Sequence, residues 1–259
     1  MNAKYVGVFL VAVGVVAGVA TAQTEWVEHP DNPVIGVDDP GSWAPGGAWV
    51  SSVFFDGETY HMWFEGVTVL PSGWITGVAV GHATSPDGVA WTMDPANPVI
   101  PAGEPGEWDD EAAGGGPVVY DGAQFKMWYA GWHGEGIDAT SNVGYATSTD
   151  GSTWTKYSGN PVMERGSPGT WDDKWLQPAS VLVEDGTYRM WFHGRTEDYY
   201  TGQIGYAESR DGIEWTKWSD PILAPADHPG SVEASFLYPS VVFDGTTYHM
   251  WHANDAPAS

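Results

Sequence analysis

The sequence predicts an all-β fold, a β-propeller built from four-stranded blades, and three observations carry that reading. A four-residue block recurs as Tyr60-His61-Met62-Trp63, Phe125-Lys126-Met127-Trp128, Tyr188-Arg189-Met190-Trp191 and Tyr248-His249-Met250-Trp251, its Met positions 65, 63 and 60 residues apart. Self-similarity at a nearly fixed period of 60–65 residues is the mark of a repeat architecture. Within a period the apolar residues alternate with period two and the breaks are Gly, Asp and Pro, which is strand and turn chemistry rather than helix. Other landmarks keep the same order. Asp-Gly turns precede each block at Asp56, Asp121, Asp185 and Asp244, S-x-D-G-x-x-W runs from Ser85, Ser148 and Ser209, and Asn-Pro-Val or its like begins at Asn32, Asn97, Asn160 and Asp220. A Trp-Asp-Asp stands at Trp108 and again at Trp171.

The second period shows how the strands follow. Pro117 to Tyr120 reads as a first strand, turned by Asp121-Gly122 into Phe125 to Ala130; Asn142 to Ser148 is a third strand, turned by Asp150-Gly151 into a fourth over Trp154 to Tyr157. Repeated radially, four antiparallel strands make a propeller blade. Numbering the strands outward from the axis, both sets of Asp-Gly turns fall on one face. The second-to-third loops and the long fourth-to-first connections fall on the other, where function usually resides. Asp87, Asp150 and Asp211 are therefore expected to be structural turn residues, and His61 and His249, aligned with Lys126 and Arg189, exposed strand positions. The repeat tryptophans Trp63, Trp128, Trp191 and Trp251 are expected between blades; Trp49, Trp74, Trp132 and Trp175 are freer to line a site.

The two ends read differently. Residues 1–22 have a Lys4-led start, an apolar run from Val6 to Val19 and an Ala20-Thr21-Ala22 cleavage pattern, which is a secretory signal peptide. Residues 23–259 are the propeller domain, expected to hold three full blades and parts of others. The segment Glu25 to Val34 resembles Thr153 to Val162, so it supplies a fourth strand without the preceding three, and the repeat halts after the second strand of period four at His252. The ring is expected to be incomplete in this chain.

Charge and composition narrow the function. Nine Lys and Arg stand against 34 Asp and Glu, a formal net charge of −25. Such a surface repels nucleic-acid phosphates and anionic membranes. An exported chain without cysteine must close its fold by burial alone. There is no metal-binding spacing, no Gly-rich phosphate loop and no G-x-S-x-G elbow. No cofactor and no metal are expected; the expected protein is a secreted or periplasmic monomer, off the membrane once the signal is cleaved, with an oligo- or polysaccharide as its partner.

The loop face collects carboxylates. The fourth-to-first connections bring Asp109, Asp110 and Glu111, then Asp172 and Asp173, then Glu233; the second-to-third loops bring Glu65, His133, Asp138, His193, Arg195, Glu197 and Asp198. Glycoside hydrolysis needs one carboxylic acid held protonated and one ionised carboxylate opposite it. Trp132 and Trp175 suit stacking on sugar rings. The expectation is that Asp110, Asp173 and Glu233 are catalytic and meet at the axial end of one depression. Glu65, Asp109, Glu111, Trp132, His133, Asp172, Trp175, His193 and Arg195 are then the substrate-binding residues. A turn-capping role for Asp109 and Asp172 is the competing reading.

The blocks Met127-Trp128-Tyr129-Ala130-Gly131, Gly144-Tyr145-Ala146-Thr147-Ser148 and Asp150-Gly151-Ser152-Thr153-Trp154-Thr155 resemble those of the five-bladed propellers of glycoside hydrolase families 43, 32, 68 and 130. The resemblance covers residues 24–255 and implies five blades in the full-length protein, with catalytic carboxylates at the starts of successive innermost strands. Carried over, that points to Asp109, Asp110 or Glu111, to Asp172 or Asp173, and to Glu233. The first-period equivalent, Trp43 to Trp49, has no acid. Two other readings follow: a non-catalytic carbohydrate- or protein-binding propeller, and a mannoside-phosphorylase-like enzyme using His193 and Arg195 for phosphate. An exported enzyme rarely meets phosphate in quantity, which favours hydrolysis.

Overall fold

A computed structural model describes residues 27–36, 43–69, 75–134, 139–196, 202–224 and 235–255. The signal segment, Trp26, Trp74, Asp138, Glu197, Asp198 and Glu233 lie outside the described residues. Every regular element among the described residues is a strand.

The first blade is β1 (Gly47–Phe55), β2 (Tyr60–Val69), β3 (Ile75–Ser85) and β4 (Thr92–Met93). The second has an interrupted inner strand, β5 (Ala112–Gly114) and β6 (Val118–Tyr120), then β7 (Phe125–His133), β8 (Thr140–Ser148) and β9 (Thr155–Lys156). The third is β10 (Trp175–Glu184), β11 (Thr187–Arg195), β12 (Gln203–Ser209) and β13 (Trp215–Lys217), and the described part of the fourth is β14 (Ser235–Phe243) with β15 (Tyr248–Asp255). Neighbours within each blade pair antiparallel, and one parallel bridge, Val78 to Ala112, ties the first blade to the second. Expected and observed strands of the second blade agree, except that its inner strand starts earlier, at Ala112, and breaks at residues 115–117. All four inner strands are irregular at this place. The register shifts between Val50 and Ser52, between Pro178 and Ser180, and between Leu237 and Ser240. A bulge at a sheet's functional rim re-aims the side chains beside it.

The Ser-x-Asp-Gly turns repeat in atomic detail. Asp150 Oδ1 accepts the backbone N–H of Ser152 and of Thr153 at 2.9 and 2.7 Å, and Ser148 Oγ accepts that of Gly151 at 2.8 Å. Asp87 and Asp211 accept the corresponding pairs. Gly151 and Gly212 have φ near +80°, a conformation only glycine adopts freely. Their carbonyls then face the preceding blade: the indole N–H of Trp63 donates to Gly151 O at 2.9 Å and that of Trp128 to Gly212 O at 2.7 Å. Trp63 and Trp128 are fully buried between blades and Trp191 is 5% exposed.

Two repeat positions depart from expectation. Trp251 is 63% exposed, because among the described residues no further blade lies against β15. His61 is not an exposed strand position: its side chain is 12% exposed, stacked on Trp63, with Nδ1 at 3.1 Å from His82 Nε2, and His82 Nδ1 is 2.9 Å from Asp94. The turn of the second blade covers it, since Gly151 lies against both imidazoles.

Candidate active site

The residue after each Met-Trp-aromatic triplet occupies one structural position in four blades: Glu65, Ala130, His193 and Ala253. On the inner strands they pair with Trp49, Gly114, Gln177 and Leu237 respectively. Two of these four, Glu65 and His193, carry chemistry.

Glu65 lies against the inner strand of the second blade. A Cβ on Gly114 would come within 2.9 Å of Glu65 Oε1, and one on Gly115 would collide with Ser51 Oγ. Glu65 Oε1 accepts a 2.8 Å hydrogen bond from Gln177 Nε2 of the third blade. Glu65 as a residue is only partly buried, while protein surrounds its carboxyl. Burial therefore pushes its carboxyl up to about 7, opposed by the hydrogen bonds of Gln177 and the Gly115 backbone. His193 shows the same effect with the opposite sign. It is 3% exposed, and burial followed by the Arg195 charge pushes it down to about 3, so the imidazole is neutral at physiological pH. Tyr238 stands beside it, its ring edge-on to the imidazole at 4.9 Å.

Trp132 and Trp175 meet across the second and third blades, ring centroids 5.5 Å apart. The buried indole N–H of Trp132 has no hydrogen-bond partner. Trp132 rests on Val67, Val78 and Ala112, the same two-blade junction that carries Glu65.

The Trp-Asp-Asp acids have partners within their own blades and loops. Asp109 is buried, with Lys156 Nζ at 2.7 Å and the Tyr129 hydroxyl donating at 3.0 Å. Asp172 is likewise buried and paired with Lys217 and Thr170. Lys156 and Lys217 are on the outermost strands of their own blades, so each first Asp locks the fourth-to-first connection across the blade it enters. Blade one explains the acid missing near Trp43. Its counterpart of Asp109 is Ala44, and its counterpart of Lys156 is Met93, which pairs with Ala83 as Lys156 pairs with Ala146. Acid and base are absent together, as partners in a structural pair would be.

The second acids turn back on their own loops. Asp110 accepts the Gly106 N–H at 2.7 Å and lies 2.7 Å from His133 Nδ1, contacts that hold its carboxyl below the usual range. Asp173 accepts the Gly169 N–H at 2.6 Å and leaves its buried Oδ1 without a partner. Glu111 is exposed. Thus Glu65, His193, Trp132 and Trp175 are brought together around Gln177, while Asp109, Asp110, Asp172 and Asp173 are held in loops. Gln177 went unrecognised in the sequence. Its signal was available: it is the polar residue at an inner-strand position where the other blades have Trp49, Gly114 and Leu237. Among the described residues no group of three or more His, Asp or Glu side chains is placed to hold a metal ion.

Residues 51–250 match the glycosyl hydrolases family 32 N-terminal domain. An uncharacterized protein of Mycobacterium tuberculosis is 30% identical over 165 residues, 61% of this chain and 52% of that protein. Among solved structures, the Bombyx mori GH32 β-fructofuranosidase superposes with a TM-score of 0.61 at 18% identity over 80% of this chain and 42% of its own. The β-1,2-mannobiose phosphorylase of Listeria innocua gives 0.54 at 17% over 79% and 53%. These likenesses are of fold. The chain spans about half the length of the curated relative it matches.

Proposed function

Because the chain belongs to the family of the glycosyl hydrolases family 32 N-terminal domain, we propose that it is an exported glycoside hydrolase acting on a neutral oligo- or polysaccharide, with Glu65 as the proton-donating acid. The single observation that carries this reading is the placement of Glu65 at the blade junction, its carboxyl packed against Gly114 and hydrogen-bonded by Gln177, where burial pushes it up to about 7. A general acid must be protonated at working pH and reach the leaving oxygen. The Trp132–Trp175 pair supplies an apolar face for a sugar ring. A neutral His193 adds a hydrogen-bonding group without a charge to repel or attract an ionic substrate.

The ionised partner is assigned to Glu233, two residues before β14 as Asp110 is before β5 and Asp173 before β10. Asp110, whose loop contacts hold its carboxyl below the usual range, and Asp173, bonded to the Gly169 N–H of its own loop, are read as rim residues. The leader in residues 1–22 directs the protein out of the cytoplasm, to a secreted or periplasmic site.

The test is a screen of the full chain against aryl glycosides, including fructosides and mannosides, and against oligosaccharides, each with and without inorganic phosphate. Release of free sugar without phosphate, lost in Glu65→Gln and in Glu233→Gln, supports the reading. Sugar phosphate formed only when phosphate is present replaces hydrolysis by phosphorolysis. Saturable sugar binding without cleavage of any substrate makes the domain a binding module.

A further inference from the structure

The Glu65 carboxylate reaches the third blade through a gap in the second. That gap is built from the run Gly114-Gly115-Gly116, where the inner strand of the second blade is broken between β5 and β6. Each glycine is needed for a separate reason. A Cβ on Gly114 would press on Glu65 Oε1 at 2.9 Å, one on Gly115 would strike Ser51, and one on Gly116 would strike the Trp128 carbonyl. On the far side stands Gln177, 7% exposed, whose Nε2 donates to Glu65 Oε1 at 2.8 Å and lies 3.4 Å from Gly115 O. One amide nitrogen thus ties together the first blade's carboxylate, the second blade's broken strand and the third blade's inner strand.

We infer that Gln177 is a positioning residue: it holds Glu65 in the gap through a hydrogen bond to one carboxyl oxygen, and so fixes both where the acid points and the pH range over which it keeps its proton. The role rests on the reading of Glu65 as the acid, but the contact is testable without it. A donated hydrogen bond favours the carboxylate over the acid, so Gln177 works against burial. Without the amide, burial alone acts, and the proton is held more tightly. The ionisable groups behind Gln177 are His193, its register partner on β11, and Arg195 two residues on; Gly114 at the end of β5 and Gly115 in the break after it face Glu65. Burial, Gln177 and the Gly115 backbone are the influences acting on the Glu65 carboxyl.

The experiment follows the Glu65 carboxyl carbon by NMR on glutamate-labelled full chain, assigned by its loss in Glu65→Gln. Gln177→Met keeps length and packing and removes the donor. The Glu65 midpoint should move up by about one pH unit, the value of one charge-assisted hydrogen bond. A second measurement uses the parent protein: the Gln177 side-chain amide protons should titrate with the Glu65 midpoint and stop titrating in Glu65→Gln. A folded Gln177→Met variant with an unmoved midpoint overturns the inference, as does a Gln177 amide that stays flat across that range in the parent. If both titrations behave as expected while Glu65→Gln keeps full turnover, the positioning contact stands and the assignment of Glu65 as the acid fails.

Discussion

The two rims of this propeller use the same functional group to opposite ends. On the turn rim, Asp87, Asp150 and Asp211 each accept two backbone N–H groups, and these bonds hold every one of them below the ordinary carboxylate range, Asp150 at about 2. At the blade junction on the other rim, Glu65 has one side-chain donor and much buried surroundings, and stands at about 7. The repeated turn aspartates are held as charges that staple their turns, whereas Glu65, at a position that the other blades fill with Ala130, His193 and Ala253, is pushed up by burial. Local donors against burial decide which, and the repeat pattern tells the two apart before any energy is considered.

That contrast breaks or sharpens under substitution. The largest expected effect is on turnover: Glu65→Gln should cut kcat on a cleaved substrate by about 100- to 10,000-fold, the usual contribution of a general acid, measured at saturating substrate. An Asp150→Asn variant, altered on the other rim, should leave kcat unchanged.

Next comes the Asp109–Lys156 lock. Asp109→Ala should cost about 3 kcal/mol in denaturant unfolding, since it leaves Lys156 and Tyr129 without their buried partner. Adding Lys156→Met reproduces the Ala44–Met93 arrangement of the first blade and should recover most of that loss. A double variant no more stable than the single would show that the two residues do not act as a pair.

The pH dependence of stability separates the rims by sign. Glu65 has a raised folded value, so the folded state holds its proton where the unfolded chain, near 4.5, has released it. Stability should therefore fall as pH rises from about 4.5 to about 7, by as much as ~3 kcal/mol. The aspartates have depressed values, so their contribution is present above about 4 and is lost as pH falls toward about 2. Glu65→Gln should flatten the upper slope alone, and Asp150→Asn should weaken the lower one alone, both read from melting curves between pH 3 and 8.

The smallest effect is on substrate affinity. Trp132→Ala should raise KM about five- to tenfold with little change in kcat, the scale of one aromatic contact. An unchanged KM would remove the indole pair from the binding surface.

The strand order within a blade and the turn motifs were legible in the sequence because each is written several times. Residues at one position of Met-Trp blocks, Asp-Gly turns and Ser-x-Asp-Gly motifs meet the same surroundings in each blade. The site was less legible for the same reason. Trp-Asp-Asp drew attention by recurring, yet recurrence marks the lock to Lys156 and Lys217, which only the pairing of β9 and β13 makes visible. The informative signal was the break in pattern: Glu65 where the second blade has Ala130, Gln177 where it has Gly114, and three glycines where a strand should run. Which blade's side chain passes through that gap depends on packing between blades, and no single strand encodes it. His61 was misplaced for a related reason, since the turn that covers it belongs to the next blade.

The measurement that bears most directly on Glu65 as a proton donor is the pH dependence of kcat/KM for the first substrate found to be cleaved. The free enzyme's acid sets the alkaline limb of that profile. A limb with its midpoint near pH 7, where burial places the Glu65 carboxyl, is the predicted result. A limb at pH 4 to 5, the range of an ordinary glutamate, or a profile flat through neutrality, would contradict it.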